Sequence, residues 1–307
     1  MARRISVLFL SLLASVILCF AEDAVFNIAT YNIRQLNADD VKRGDGWEVR
    51  LPVIASLIKF HEFDIFGTQE GFKSQLEDMK QLLPGFDYTG VAREDGKENG
   101  EHSAIFYNTG KFSLIDHGDF WLSETPDRPG LGWDAACVRI CSWGKFLHIP
   151  SGKIFKYFNL HLDHVGTIAR EESCKLVLAR INESAEEDIP IFLSGDFNVD
   201  QHNDIYSIIT SSGLVADAYD KADFVYAPNG TFNGFHTDGF TDSRIDHLFV
   251  SPDIRVEKYG VLTDTYRTPV KSADSLATTP SPAEISVTRY VARTPSDHFP
   301  VLLKVSF

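Results

Sequence analysis

Ile189-Pro-Ile-Phe-Leu-Ser-Gly-Asp-Phe-Asn198 decides the reading of this chain. Its first part is apolar and rich in β formers, as in a strand buried on both faces. It then runs into Gly195, Asp196 and Asn198 at the strand end. Asp196 and Asn198 stand two apart on an extended segment, so both side chains point to the same side. A carboxylate there can orient and deprotonate a water, and an amide can donate to a phosphate oxygen. Gly, Asp and Asn are also turn residues, so a plain turn is the competing reading. The aliphatic strand leading in tips the balance towards a site.

Further polar motifs lie on either side of this one, most beside short apolar runs. They are Asn32 in Thr-Tyr-Asn, Glu70 in Gly-Thr-Gln-Glu, Glu101 in Gly-Glu-His-Ser-Ala-Ile-Phe-Tyr, and His161 in Asn-Leu-His-Leu-Asp. Asp246 follows in Arg-Ile-Asp-His-Leu-Phe-Val, and Asp297 and His298 in Ser-Asp-His-Phe-Pro-Val. Polar groups at strand ends form sites on a rigid scaffold. Carboxylates, amides and imidazoles converging this way suit metal-assisted attack on a phosphate. Glu70 alone reads as a surface residue; within the ordered set it reads as a Mg²⁺ ligand, with Asp297 a second oxygen ligand. His161 needs a carboxylate partner to be more than a core histidine. Glu101 is the candidate, with Glu98 close by as the alternative. His298 can donate to phosphate if Asp246 holds its other nitrogen. Arg34 can reach a substrate phosphate or simply face solvent.

Residues Phe63–Gly67, Ser103–Tyr107, Ile154–Leu162, Ile189–Ser194, Ile245–Val250 and Pro300–Phe307 read as strands, as does Val25–Ile33. Helical spacing marks Trp47–Phe60, Phe72–Leu83, Ile168–Ala185 and Ile205–Ser212. The mixed order predicts an α/β (α+β) chain folded as a four-layer α/β/β/α sandwich, two sheets flanked by helices. Residues 263–294 are polar and proline-bearing, and are expected as a loop rimming the site.

Among 307 residues, Arg3 and Arg4 precede an apolar run from Ile5 to Phe20, with Ala21 as a cleavage point. This predicts a signal peptide over 1–21, a single domain over 22–307, and a secreted or periplasmic protein. The residues before Cys19 match a lipid-attachment site poorly. Removing Arg3 and Arg4 leaves 27 basic against 43 acidic residues, net −16. Such a charge leans against tight binding of nucleic acid. Three cysteines then remain, Cys137, Cys141 and Cys174, an odd number expected as buried free thiols.

The ordered set Thr-Tyr-Asn, Gly-Thr-Gln-Glu, Gly-Asp-Phe-Asn, Arg-Ile-Asp-His and Ser-Asp-His-Phe-Pro-Val resembles the endonuclease/exonuclease/phosphatase superfamily, from Phe26 to the end. Phe-Trp-Leu-Ser-Glu-Thr-Pro at 120–126 and the stretch from His161 to Arg170 resemble its bacterial secreted branch. The resemblance implies two mixed, mainly antiparallel sheets and hydrolysis of phosphoesters with Mg²⁺ or Mn²⁺. By position it implies that Asn32, Glu70 and Asp297 belong to the metal site. It matches His161 with Glu101, and His298 with Asp246, to two oriented histidines. Asp196 matches the water-orienting residue and Asn198 the phosphate-binding one. The substrate stays open: a small or lipid phosphoester is favoured over nucleic acid, with a non-specific secreted nuclease and a catalytically silent phosphate-binding module as alternatives. No stable protein partner is implied, and a monomer is expected.

Overall fold

Alternating aromatic and aliphatic residues give Lys153–His161 and Ile191–Asp196 the two-sided burial of central strands. In the computed structural model, which describes residues 23–185, 189–270 and 287–307, these two strands pair in parallel at the middle of a sheet. That sheet runs in the order Ala216–Asp217, Asp246–Val250, Ile191–Asp196, Lys153–His161, Ile140–His148, Phe112–Trp121. A second sheet is built the same way. Its parallel central pair is Val25–Asn32 with Ile65–Gln69. Val301–Ser306, Arg255–Val261 and Val225–Tyr226 continue it on one side, and Ile105–Asn108 and Phe86–Thr89 on the other. Most other pairings are antiparallel, as expected.

The sheets stack face to face over a core containing Phe26, Phe112, Phe146, Phe155 and Phe192. Ile54, Leu57 and Ile58 of the helix Trp47–Phe60 and Leu76 and Met79 of Lys73–Leu82 cover one outer face. The helices Thr167–Ala185 and Asp204–Thr210 cover the other through Cys174, Val177, Ile181, Ile205 and Ile209. This is the four-layer sandwich that the element order predicts.

Near the site the inter-sheet contact turns polar. Buried Tyr157 accepts the Gly67 N–H at 2.9 Å and donates to the Ala29 carbonyl at 2.8 Å. Asn159 donates to the carbonyls of Thr68 and Ala104, and its oxygen accepts from Gln69 and Ser194. Gly67 is required there, because an added Cβ would stand 2.2 Å from the Asn159 oxygen. Such a buried network fixes the register of one sheet against the other, and with it the placement of the strand ends.

One expectation lies partly outside the described residues and another needs correction. The ends of segment 263–294 pair as a hairpin, Tyr266–Pro269 with Tyr290–Arg293, held by an Arg293–Asp45 ion pair at 2.7 Å. None of its described residues lines the central cavity; residues 271–286 lie outside the described residues, as does the expected signal segment. Cys141 and Cys174 are buried free thiols, but Cys137 is only partly buried and opens onto the cavity.

Candidate active site

Because both central pairs are parallel, four strands end on the same edge of the sandwich. Asn32, Gln69, His161 and Asp196 are their last residues, and Asp246 begins the antiparallel neighbour beside Asp196. Asp297 and His298 sit just before the strand Val301–Ser306. Arg34, Glu70 and Asn198 all adopt left-handed backbone conformations, with φ of 59°, 68° and 51°. For residues with a Cβ this is a strained choice that clusters where side chains must be aimed. Fully buried Arg50 donates to the carbonyls of Ile33 and Pro295, tying the loop after Asn32 to the loop before Asp297.

Asn32 is the hub. Its amide nitrogen donates to Glu70 Oε1 and to Asp196 Oδ2, both at 3.0 Å, and its oxygen accepts the Arg34 N–H at 3.0 Å. Asn32, expected in the metal site, is here the donor that aligns two carboxylates. Glu70 Oε2 accepts the Gln35 N–H at 3.1 Å. Arg34 pairs with Asp40 through Nε at 3.0 Å and turns Nη1 between Glu70, at 4.0 Å, and Asp297, at 3.4 Å.

The Nδ1–H of His298 donates to Asp246 Oδ2 at 2.8 Å, leaving Nε2 facing Asp196 Oδ2 at 3.7 Å. Burial alone would lower the His298 pKa; the charges of Asp246 and Asp196 outweigh it and hold the imidazolium well above its usual range. Burial, reinforced by the charge of Asp246, pushes the Asp196 carboxyl up to about 7. Asp196 Oδ1 also accepts the Asn198 N–H at 2.9 Å. The pairing of His298 with Asp246 is thus formed as the sequence suggests.

The pairing of His161 with Glu101 is not. Glu101 accepts from Arg93 Nη1 at 2.6 Å, while His161 Nδ1 is buried with no hydrogen-bond partner among the described residues. Burial, then the charges of Arg139 and Arg93, keep His161 neutral by lowering its pKa well below the usual value. Its Nε2 accepts from the Asn198 amide at 3.2 Å, and that amide also donates to the Leu162 carbonyl at 3.0 Å. Asn198 must therefore release His161 before it can donate to a phosphate. Glu101, buried beside His161, has its own pKa pushed up to about 7 by that burial. Glu98 is exposed and outside the cavity.

All the motifs except Asn32 and Asp246 open directly onto one cavity of about 510 Å³. Arg93, Arg139, His164 and Phe232 line it too, and the motif reading gave none of them a role. Arg139 had a visible signal, a lone cation inside the β-forming run Cys137–Cys141. Asp163 places it: its carboxylate takes Arg139 Nε at 3.3 Å and the N–H groups of Cys137, Val165 and Gly166. Arg93 Nε and Arg139 Nη1 keep no hydrogen-bond acceptor among the described residues. One wall is thus cationic.

Glu70, Asp196 and Asp297 line the same cavity. Burial raises the Asp297 pKa, and the charge of Glu70 adds to it. Three crowded carboxylates with one guanidinium among them have the donor set and the surplus charge that a hard divalent cation needs. Glu70 and Asp297 fit as its ligands. Asp196, Asp246 and His298 also lie within 4.8 Å of one another through their ligand atoms, but His298 Nδ1 and Asp246 Oδ2 are spent on each other.

A family model described as Endonuclease/Exonuclease/phosphatase family matches residues 29–298. A solved mannosyl-6-phosphatase from Bacteroides thetaiotaomicron is 52% identical, covering 92% of this chain and 100% of that one, with a TM-score of 0.85. An endonuclease/exonuclease/phosphatase from Bacteroides vulgatus is 36% identical over 92% of this chain and 98% of its own, with a TM-score of 0.77. An uncharacterised protein of Acanthamoeba polyphaga mimivirus is 35% identical over 163 residues, half of this chain and 60% of that one. The chain thus spans less than two thirds of that curated relative.

Proposed function

The chain belongs to the endonuclease/exonuclease/phosphatase family, whose members are phosphoester hydrolases, and on that premise we propose that it is a divalent-metal-dependent phosphomonoesterase acting on a phosphorylated sugar. The observation that carries this reading is the cationic wall of Arg93 and Arg139, in the same cavity as the carboxylates and the Arg34 set among them. A terminal phosphate presents three free oxygens and up to two charges, which forked guanidinium donors match well. A diester has two free oxygens and one charge. The mannosyl-6-phosphatase at 52% identity supports the sugar, and the net charge of −14 favours a small substrate over nucleic acid.

Within this reading Glu70 and Asp297 hold Mg²⁺ or Mn²⁺, which when bound supplies a Lewis acid for a phosphoryl oxygen. Asp196, aligned by Asn32, orients the attacking water and takes its proton. His298, kept charged by Asp246, offers its Nε2–H to the phosphoryl oxygens as charge builds on them. Arg139 and Arg93 hold the remaining oxygens. Residues 1–21 direct export, so that the enzyme meets its substrate outside the cytoplasm.

A panel of mannose 6-phosphate, other sugar phosphates, a bis-aryl phosphodiester and plasmid DNA, each with Mg²⁺, tests the assignment. The expected result is a kcat/KM for mannose 6-phosphate at least tenfold above the diester, with no nicking of plasmid. Preference for the diester or for DNA would overturn it.

A further inference from the structure

A second cavity, of about 490 Å³, lies across the hairpin formed by residues 229–244. The backbone of Gly230 and Thr231 pairs with Thr241 and Ser243, and the two cavities share this element. Phe232 faces the catalytic cavity, its ring edge-on to His298 at 5.1 Å. Asn229 and Phe240 line the second cavity. Asn229 and Phe232 are three Cα steps apart, at most about 11 Å.

The chemistry of the second cavity differs from the first. Tyr219 is stacked under the Arg244 guanidinium at 3.9 Å, so the aromatic floor is rigid. The Arg244 charge is already matched by buried Asp217 at 3.0 Å. Asp220 and Asp242 stand exposed at the rim, Asp242 4.0 Å from His202, and among the described lining residues there is no lysine and no arginine besides the paired Arg244. Phe240 is 78% exposed beside them. An exposed ring, a fixed aromatic floor and rim carboxylates that accept hydrogen bonds are what a neutral polyol ring asks for: stacking on its C–H face and acceptors for its hydroxyls.

We propose that this cavity is an accessory carbohydrate site, which takes further sugar units of a phosphorylated oligosaccharide whose phosphate occupies the catalytic cavity. The inference rests on the phosphomonoesterase reading and extends it from a free sugar phosphate to a glycan. Phe240 is the stacking platform, and Asp220 and Asp242 accept from hydroxyls.

Steady-state kinetics on mannose 6-phosphate and on a mannotriose phosphorylated at its terminal unit test it, with wild type, Phe240→Ala and Asp220→Asn. Wild type should show a KM for the trisaccharide about tenfold below that for the monosaccharide, a difference that Phe240→Ala removes while leaving mannose 6-phosphate kinetics unchanged. Asp220→Asn should raise only the trisaccharide KM. Equal KM values for the two substrates, or a trisaccharide advantage untouched by both variants, would overturn the accessory site and leave the phosphatase intact. Failure to hydrolyse either substrate would instead overturn the underlying reading. Melting curves of both variants should match wild type, since both positions are exposed.

Discussion

Asp246→Asn isolates the charge that makes His298 a catalytic donor. The amide keeps the shape and can still accept the Nδ1–H, so the imidazole stays in place. What is lost is an ion pair at 2.8 Å between two buried groups. At an effective dielectric of about 20, unit charges at that separation attract by about 6 kcal/mol. If half of that is expressed when charge builds on the phosphoryl group, the barrier rises by about 3 kcal/mol, or roughly a hundredfold in kcat. The pH profile gives an independent readout. His298 has its pKa raised by Asp246, so it stays charged as pH climbs and activity falls only as pH passes that raised value. Removing Asp246 lowers the pKa and moves the alkaline limb to lower pH. Phosphate release from mannose 6-phosphate, measured from pH 5 to 10 at saturating Mg²⁺, checks both. A limb that stays put with kcat within threefold of wild type would refute the reasoning and remove both residues from the catalytic scheme.

Asp196→Asn should lower kcat by about 10²–10⁴ without altering the fold, since the amide cannot take the water's proton; kcat within a few-fold would show that another group is the base. Glu70→Gln should raise the Mg²⁺ concentration for half-maximal rate at least tenfold, read from metal titrations at saturating substrate. Tyr157→Phe leaves the buried Gly67 N–H without its acceptor, and should cost about 1–3 kcal/mol in urea unfolding; an unchanged midpoint would mean that the N–H finds another acceptor.

Strand ends were legible because their side chains obey a simple rule: apolar run, then a polar residue. Asp246 and His298 met as expected because Asp246 opens a central strand and His298 immediately precedes one. Glu101 failed because nothing local encodes what it faces. Its partner Arg93 sits eight residues upstream in a turn, and Glu101 itself is placed by a two-residue strand paired with Gly71–Phe72. The sequence does not show which of the two amide atoms of Asn32 faces the carboxylates; the fold turns the nitrogen to Glu70 and Asp196. Arg139 was missed because its role depends on Asp163, twenty-four residues away, folding the loop onto the cavity wall. The long strands Phe112–Trp121 and Ile140–His148 carry exposed charges and glycine, such as Asp116 and Gly118, which blurred their period. Close approach of the sheets at Gly67 has no local signature either; it follows from Asn159 on the other sheet.

Metal-dependent hydrolysis of a phosphomonoester at the cavity lined by Glu70, Asp196, Asp297 and His298 is tested most directly by phosphate release from mannose 6-phosphate by protein stripped with EDTA, before and after Mg²⁺ or Mn²⁺ is restored. Turnover should be abolished by stripping, recovered on adding back either ion, and not recovered in Glu70→Gln at the same metal concentration. Undiminished turnover after stripping, or full recovery in Glu70→Gln, would contradict it.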